Sequence, residues 1–215
     1  MADARMQTAT LRCTCGEVEG VVANAAPRTA NRVICYCEDC QAFAHHLRRA
    51  DLLDANGGSD IIQVAPAALT FVRGQERIAG VRLAPKGLYR WHSTCCGTPL
   101  GNTVSPKIPF VGVMAQTFDH GAQRADAVFG KPTGAILGKY AIGEVPAGSR
   151  GMPLGVVARA LLKVTGWRLS GKTWPHPFFE KGKTAPIYPL RVLTRDERDA
   201  LRPLCGPKPT AASRA

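Results

Sequence analysis

The feature that most constrains this chain is the grouping of its cysteines. Seven of the eight cysteines fall into three short clusters, and the eighth stands alone. The clusters are Cys13 with Cys15, then Cys35, Cys37 and Cys40, then Cys95 with Cys96, and the lone residue is Cys205. In a reducing compartment, clustered thiols bind metal more often than they form disulfides. We expect zinc, because it favours tetrahedral thiolate sites and needs no redox partner.

The composition indicates a globular chain. Apolar residues make up 45% of the sequence and charged residues 20%, which excludes general disorder. The N-terminal segment lacks the apolar stretch of a signal peptide, so we expect a cytoplasmic location. The most apolar segment, residues 152–162, is about half the roughly 20 residues needed to cross a bilayer, which predicts no membrane span.

The positive charge is concentrated in the last third of the chain. The formal net charge is +12, and residues 145–215 contain 13 Lys and Arg against 4 Asp and Glu. A basic segment attracts nucleic acid, anionic lipid or acidic partners without selecting among them. We do not expect a nucleic-acid partner, since no arginine-rich or aromatic stacking motif accompanies the charge.

The cysteine spacings limit how a metal can be held. Residues i and i+2 of a strand lie about 6.7 Å apart, whereas two thiolates on one zinc lie roughly 3.8 Å apart. The pair Cys13 and Cys15 therefore needs a bend, which Gly16 can supply. Cys37 and Cys40 have zinc-knuckle spacing, and Cys35 adds a third thiolate. Either the fourth position stays free, as in catalytic zinc sites, or a ligand from elsewhere closes a structural site.

The three clusters, taken in order, resemble a known family. The motifs are C-x-C-G-x-V at 13–18, C-x-C-x-x-C at 35–40 and C-G-T-P-L at 96–100. In residues 8–144 they are similar to the glutathione-dependent formaldehyde-activating enzymes, a family that includes centromere protein V. The resemblance implies a mainly β fold, the β-tent, in which zinc joins small antiparallel sheets.

The resemblance also implies two zinc ions with different roles. The first motif and the C-G motif would hold a structural zinc. Cys35, Cys37 and Cys40 would form the catalytic site, with a more labile zinc that receives a glutathione adduct of formaldehyde. The implied activity is that of a carbon–sulfur lyase acting on an S-hydroxymethyl thiol, with glutathione or a similar thiol as its small-molecule partner.

One position departs from the family pattern. The family has a cysteine three residues before the C-G cysteine, where this chain has Ser93. The candidates to replace it are His92 and Cys95. Adjacent strand residues point to opposite faces, so Cys95 and Cys96 can share one zinc only in a tight turn, which Gly97 permits. Otherwise Cys95 would close the second site with four thiolates and make it non-catalytic.

For a few polar residues near the motifs, the sequence allows both a functional and a structural interpretation. His45 and His46, in a predicted helix over 41–47, could shuttle protons or contact substrate, but we favour a polar surface pair. Arg32 and Arg90 could bind a glutathione carboxylate, but we favour solvated charges at a strand edge. Asn102 could contact a ligand, but we favour a turn-stabilising role.

The last third has no catalytic motif. We predict a basic extension of helices and aromatic residues over 145–205 that packs on the zinc domain, followed by a disordered tail over 206–215. The pattern indicates an amphipathic helix over 151–169 and a capping box at Thr194 for a second helix. Attachment of the first helix to a membrane surface is the less favoured alternative to packing. Cys205 is not expected to be a ligand.

Two hypotheses about function follow. The first is the zinc-dependent carbon–sulfur lyase that the resemblance implies. The second is a non-catalytic, zinc-stabilised binding module whose basic C-terminal third engages a partner. The number of thiolates at the second site distinguishes them, because a free fourth position is needed for chemistry and a four-thiolate site is structural.

Overall fold

A computed structural model describes residues 7–118, 121–146 and 148–207. The strands are β1 Gln7–Arg12, β2 Glu19–Ala25, β3 Asn31–Cys35, β4 Ser59–Val64, β5 Leu69–Arg73, β6 Ile78–Arg82, β7 Tyr89–Ser93, β8 Pro99–Thr103, β9 Val111–Met114, β10 Ala135–Ile136 and β11 Leu190–Val192. The α-helices are α1 Glu38–His46, α2 Gly121–Phe129, α3 Leu154–Leu169 and α4 Arg195–Leu201.

The strands form two sheets. The small sheet has the order β1-β2-β5 and is antiparallel throughout. The large sheet has the order β10-β3-β4-β9-β8-β7-β6-β11; its inner pairs are antiparallel, and its two edge strands pair in parallel with their neighbours. The predicted class, mainly β with a helical C-terminal extension, is confirmed.

The main hydrophobic core joins the two sheets. Leu11 and Val22 enter it from the small sheet, and Ile62, Trp91 and Val111 enter it from the large sheet. Each of these side chains is at most 1% exposed. Because full burial of one such side chain contributes about 1.5–3 kcal/mol, this core is a main source of stability.

The C-terminal third contributes directly to this core. Phe178 and Phe179 are buried, and the ring of Phe178 stacks on Trp91 with centroids 4.5 Å apart. Further on, β11 adds an edge strand beside β6, and Leu193 packs into a second core cluster with Phe43. The described part of the extension therefore packs on the cysteine-bearing region, while the domain boundary at residue 144 stays a prediction.

Most of the predicted elements are confirmed. The segments rich in β-forming residues over 61–64, 69–73, 77–83, 88–91 and 110–114 form β4, β5, β6, β7 and β9. Helices α1, α3 and α4 form where expected, and α4 has the predicted capping box, in which Thr194 and Glu197 bond to each other's backbone N–H groups. Residues 208–215 of the predicted tail lie outside the described residues.

Among the described residues, no helix combines the length and the apolar character that a membrane crossing requires.

Candidate metal centres

Two turns build the first cysteine group. After β1 the chain turns at Gly16, whose φ of 78° is the left-handed conformation that glycine adopts readily. After β7 it turns at Gly97, with φ of 67° and a hydrogen bond from its N–H to the Ser93 carbonyl at 3.0 Å. A Cβ atom at Gly97 would lie 2.9 Å from the Leu47 carbonyl oxygen, so close approach to the end of α1 also requires glycine.

These turns bring four sulfur atoms together. Cys13 Sγ lies 3.5 Å from Cys15 Sγ and 3.8 Å from Cys95 Sγ, and Cys15 Sγ lies 3.3 Å from Cys95 Sγ. Cys96 Sγ completes a group in which all four sulfurs lie within 4.8 Å of one another. Thiolates around a tetrahedral zinc lie roughly 3.8 Å apart, so the arrangement can hold a metal ion.

The structure answers the question raised by Ser93. Adjacent Cys95 and Cys96 both join the first group, because the Gly97 turn breaks the alternation of the strand. Ser93 lies three residues before Cys96, and its Oγ is 3.3 Å from Cys96 Sγ. The alternative in which His92 replaces the missing cysteine is not what the structure shows, since His92 belongs to neither described cysteine group.

Hydroxyl groups surround Cys96 and favour its thiolate. Burial raises the pKa of Cys96, but hydrogen bonds with the Ser93 and Thr98 hydroxyls outweigh burial and lower it to about 5. Arg49 donates to Thr98 Oγ1 at 3.0 Å and to Thr14 Oγ1 at 2.8 Å, which ties the segment after α1 to both turns. A preformed thiolate suits metal binding, because zinc binds the deprotonated sulfur.

The second group is built by a single short segment. Cys35 ends β3, Cys37 caps the N-terminus of α1 by accepting from the Cys40 N–H at 3.3 Å, and Cys40 lies in the first helical turn. The sulfurs of Cys35 and Cys40 are 3.9 Å apart, and all three lie within 4.8 Å of one another. The positive end of the α1 dipole also stabilises thiolates at this position. In the described part of the chain, no fourth Cys, His, Asp or Glu joins this group.

A buried arginine lies beside the second group. Arg90 is 1% exposed, and its Nη1 lies 3.8 Å from Cys40 Sγ and 3.3 Å from Asn102 Oδ1. Its guanidinium also sits over the Phe43 ring at 5.4 Å and 3.9 Å from a carboxylate oxygen of Asp39. The expectation of a solvated charge at Arg90 is wrong, because β7 is covered on both faces. The turn role expected for Asn102 is also wrong, since it lies in β8 and accepts from Arg90.

The pKa of Cys40 is held well below its ordinary value. Hydrogen bonding with Cys35 and Cys37 is the main cause, and the charge and N–H groups of Arg90 add to it against the effect of burial. Three thiolates with one divalent ion carry a net negative charge, which a guanidinium neutralises. A buried charge is tolerated only when it is paired in this way.

Arg32 is also buried, which contradicts the expectation of a solvated charge. It is 3% exposed and donates to Asp60, Asp126 and the Gly130 carbonyl. The Asp60 pair is bidentate, since Arg32 Nε and Nη2 contact its two carboxylate oxygens. With these donors engaged inside the protein, Arg32 has a structural role, and binding of a glutathione carboxylate there would require breaking this network.

The two histidines after Cys40 lie away from the sulfur atoms. His45 and His46 occupy the last turn of α1, and neither joins a described cysteine group. His46 lines a groove together with His92, Leu190 and Arg191. Burial lowers the pKa of His92 to about 4, and the charge of His46 contributes.

Comparison with known proteins places the chain in a family. Residues 6–188 match the sequence model of a family described as a family of unknown function, DUF6151. The chain belongs to this family. The DUF6151 match includes both cysteine groups, α3 and the aromatic segment 174–179.

Curated proteins and solved structures add little about this DUF6151 member. No curated protein matches the chain. Its fold is similar to a crystal structure of a Rhodobacter sphaeroides protein, a structural-genomics target, with a TM-score of 0.41 and 18% identity. That similarity covers 59% of this chain and 98% of the other.

Proposed function

We propose that this DUF6151 protein binds two zinc ions that differ in role. The four-cysteine group holds a closed, structural zinc. The three-cysteine group holds a more labile zinc that accepts a small-molecule thiol such as glutathione. At that second site the protein acts as a carbon–sulfur lyase on an S-hydroxymethyl thiol, as its resemblance to the formaldehyde-activating enzymes implies. The observation that supports this most is the three-sulfur group with Arg90 buried beside it.

The donor sets fit zinc at both places. Clustered thiolates select zinc over harder cations, and the sulfur separations suit a tetrahedral ion. The first group provides four thiolates and is complete by itself. The second provides three, which leaves one position for a thiol or an oxygen ligand. Bound there, zinc would supply Lewis acidity toward the sulfur or the hydroxymethyl oxygen of the adduct.

The chemistry balances without any redox partner. Cleavage of an S-hydroxymethyl thiol breaks the carbon–sulfur bond, moves the hydroxyl proton to the departing sulfur and releases formaldehyde. The protein residues contribute charge and shape. Arg90 offsets the negative charge of the sulfur cluster, Asn102 fixes one Nη of Arg90, and Phe43 shields the guanidinium from water. A weakly solvated cation of this kind favours a thiolate over a thiol.

Two measurements test the proposal together. Metal analysis should find about two zinc ions per chain, as two thiolate groups require. Two-dimensional exchange NMR should then show faster exchange between the S-hydroxymethyl adduct and free formaldehyde when the zinc-loaded protein is present. Cys37→Ser should lose one zinc and the acceleration, while Cys205→Ser should keep both, because Cys205 lies outside the two groups.

The outcomes separate the two hypotheses. Acceleration that depends on Cys37 supports the lyase. Exchange no faster than in buffer, with both ions bound, would reject the lyase and favour the zinc-stabilised binding module. Fewer than two ions in protein purified without chelator would contradict the two-site proposal itself.

A further inference from the structure

Helix α3 has apolar residues on two opposite faces. Its inner face packs on the rest of the protein through Val156, which packs against the core cluster that contains Cys35 and Cys40, and through Trp167, which is 6% exposed. A helix that is apolar all round is normally covered all round. The described residues cover only one face of α3, so the other face requires a separate explanation.

The outer face presents four exposed leucines. Leu154, Leu161, Leu162 and Leu169 are 87%, 61%, 74% and 84% exposed. At about 100° per residue, these positions lie with Ala158 and Thr165 within a stripe about 100° wide along the whole helix, and Thr165 is the one polar residue in it. Single exposed leucines are common on protein surfaces, but a continuous stripe indicates an interaction surface.

The charges around the stripe are all of one sign. Helix α3 contains Arg159, Lys163 and Arg168 and no acidic residue. Lys163 is engaged on the inner side with the Arg28 carbonyl, whereas Arg159 and Arg168 are exposed and border the stripe on its two sides. An apolar stripe between cations is typical of helices that lie in the headgroup region of a membrane.

A basic groove continues this surface at the C-terminal end of α3. Arg168 lines the groove with Lys107, Lys183, Thr173 and Trp174. Arg168 also donates to the Lys107 carbonyl at 3.2 Å, which holds the two segments together. Cations, a hydroxyl and an indole ring are the groups that interact with phosphate headgroups at the level of the membrane interface.

We infer that the outer face of α3, with the adjoining groove, docks on a lipid bilayer that carries anionic lipid. The helix lies in the plane of the interface, with the leucine stripe toward the acyl chains and Arg159 and Arg168 among the phosphates. A second copy of the chain is a poorer occupant, because facing α3 helices would bring like charges together. At 16 residues, α3 is about 24 Å long, which suits this orientation.

Vesicle sedimentation of the full, zinc-loaded chain tests the inference. Vesicles of phosphatidylcholine with 30% phosphatidylserine should retain the protein, and vesicles of phosphatidylcholine alone should retain far less. The double variant Leu161→Glu/Leu162→Glu should lose about tenfold or more in partitioning, since it places two acids in the outer face that would enter the bilayer. The matched control Val72→Glu/Ile142→Glu adds the same charge at exposed apolar positions elsewhere and should bind as the unmodified chain does.

A second pair of variants tests the groove. Lys107→Gln and Lys183→Gln should each weaken binding to anionic vesicles about fivefold, and neither should change the weak binding to neutral ones. Circular dichroism and zinc content must match the unmodified chain for every variant, which separates this test from the metal proposal.

Three results would overturn the inference. Retention that is equal on neutral and anionic vesicles would remove the charge argument. Anionic binding that survives Leu161→Glu/Leu162→Glu would remove the stripe. A dimer in sedimentation velocity that the same double variant dissociates would assign the leucine stripe to a second copy of the chain.

Discussion

The two cysteine groups use similar ligands in different structural settings. The first joins segments far apart in the sequence, since Cys13 and Cys95 are 82 residues apart. The second is contained in one segment, from the end of β3 to the first turn of α1. The first has four sulfurs surrounded by hydroxyl groups, and the second has three sulfurs beside a buried guanidinium.

This difference predicts that a metal in the first group mainly stabilises the fold, whereas a metal in the second group is available for chemistry. A metal bound by the first group would close a long loop and fasten β1 to the turn after β7, so its binding energy becomes folding energy. A metal bound by the second group would link residues that β3 and α1 already hold close together. Loss or exchange of such a metal would therefore cost the fold little.

The largest expected effect comes from breaking the first group. Cys13→Ser should release one zinc and abolish cooperative thermal unfolding, because structural zinc sites contribute on the order of 10 kcal/mol to folding. Cys37→Ser should also release one zinc but leave a cooperative transition. Circular dichroism melts with zinc analysis measure both. Equal loss of structure in the two variants would refute the distinction between the groups.

Removing the buried cation should affect only the second group. Arg90→Met replaces the arginine with an apolar side chain of similar length, which leaves the sulfur cluster without its counter-charge. The zinc affinity of the second group should therefore fall about 10- to 100-fold. Arg49→Met is the matched control, because Arg49 contacts the hydroxyls around the first group. Competition with a chromogenic chelator measures both affinities. An unchanged second site in Arg90→Met would show that its charge balance is unimportant.

Acid should destabilise the fold through His176, independently of the cysteines. Burial lowers the pKa of His176 from 6.5 to about 4. The neutral ring therefore does not reduce stability above pH 6.5. As the pH drops from 6.5 to 4, the unfolded state binds more protons than the folded state, and the free energy of unfolding falls by up to about 3 kcal/mol. His176→Asn keeps an acceptor near the Phe178 N–H but does not titrate, so its denaturant midpoint should depend less on pH. Parallel pH profiles for both proteins would rule out this role.

The smallest effect is expected from moving one ligand of the first group. Cys95→Ser should lose the structural zinc. Adding Ser93→Cys should restore it, because it places a cysteine three residues before Cys96, as in the formaldehyde-activating enzymes that the sequence resembles. Ser93 Oγ also accepts from the Thr98 N–H at 3.0 Å, and sulfur accepts weakly, so the restored protein should remain about 1 kcal/mol less stable. Zinc content and urea unfolding test this. If the double variant still lacks the structural zinc, a cysteine at position 93 cannot complete the first group.

The sequence predicted the grouping of the cysteines better than the surroundings of each group. The structure brings the seven clustered cysteines into two groups that could hold metal, because short-range spacing limits where a thiolate can point. The placement of Cys95 could not be derived from spacing, since it depends on the turn at Gly97 against the end of α1. The sequence alone predicts a solvated Arg90, because a strand seen alone does not reveal that both of its faces are covered. A cation in β7 just before the third cluster was the signal that could have identified it.

Zinc-edge X-ray absorption of the two-zinc protein tests the difference between the two groups most directly. One four-sulfur site and one three-sulfur site predict an average of about 3.5 sulfur ligands per zinc, with about half an oxygen or nitrogen ligand. Added glutathione should raise the average toward four sulfurs. A shell of four sulfurs per zinc in the protein alone would contradict the account, because both sites would then be closed.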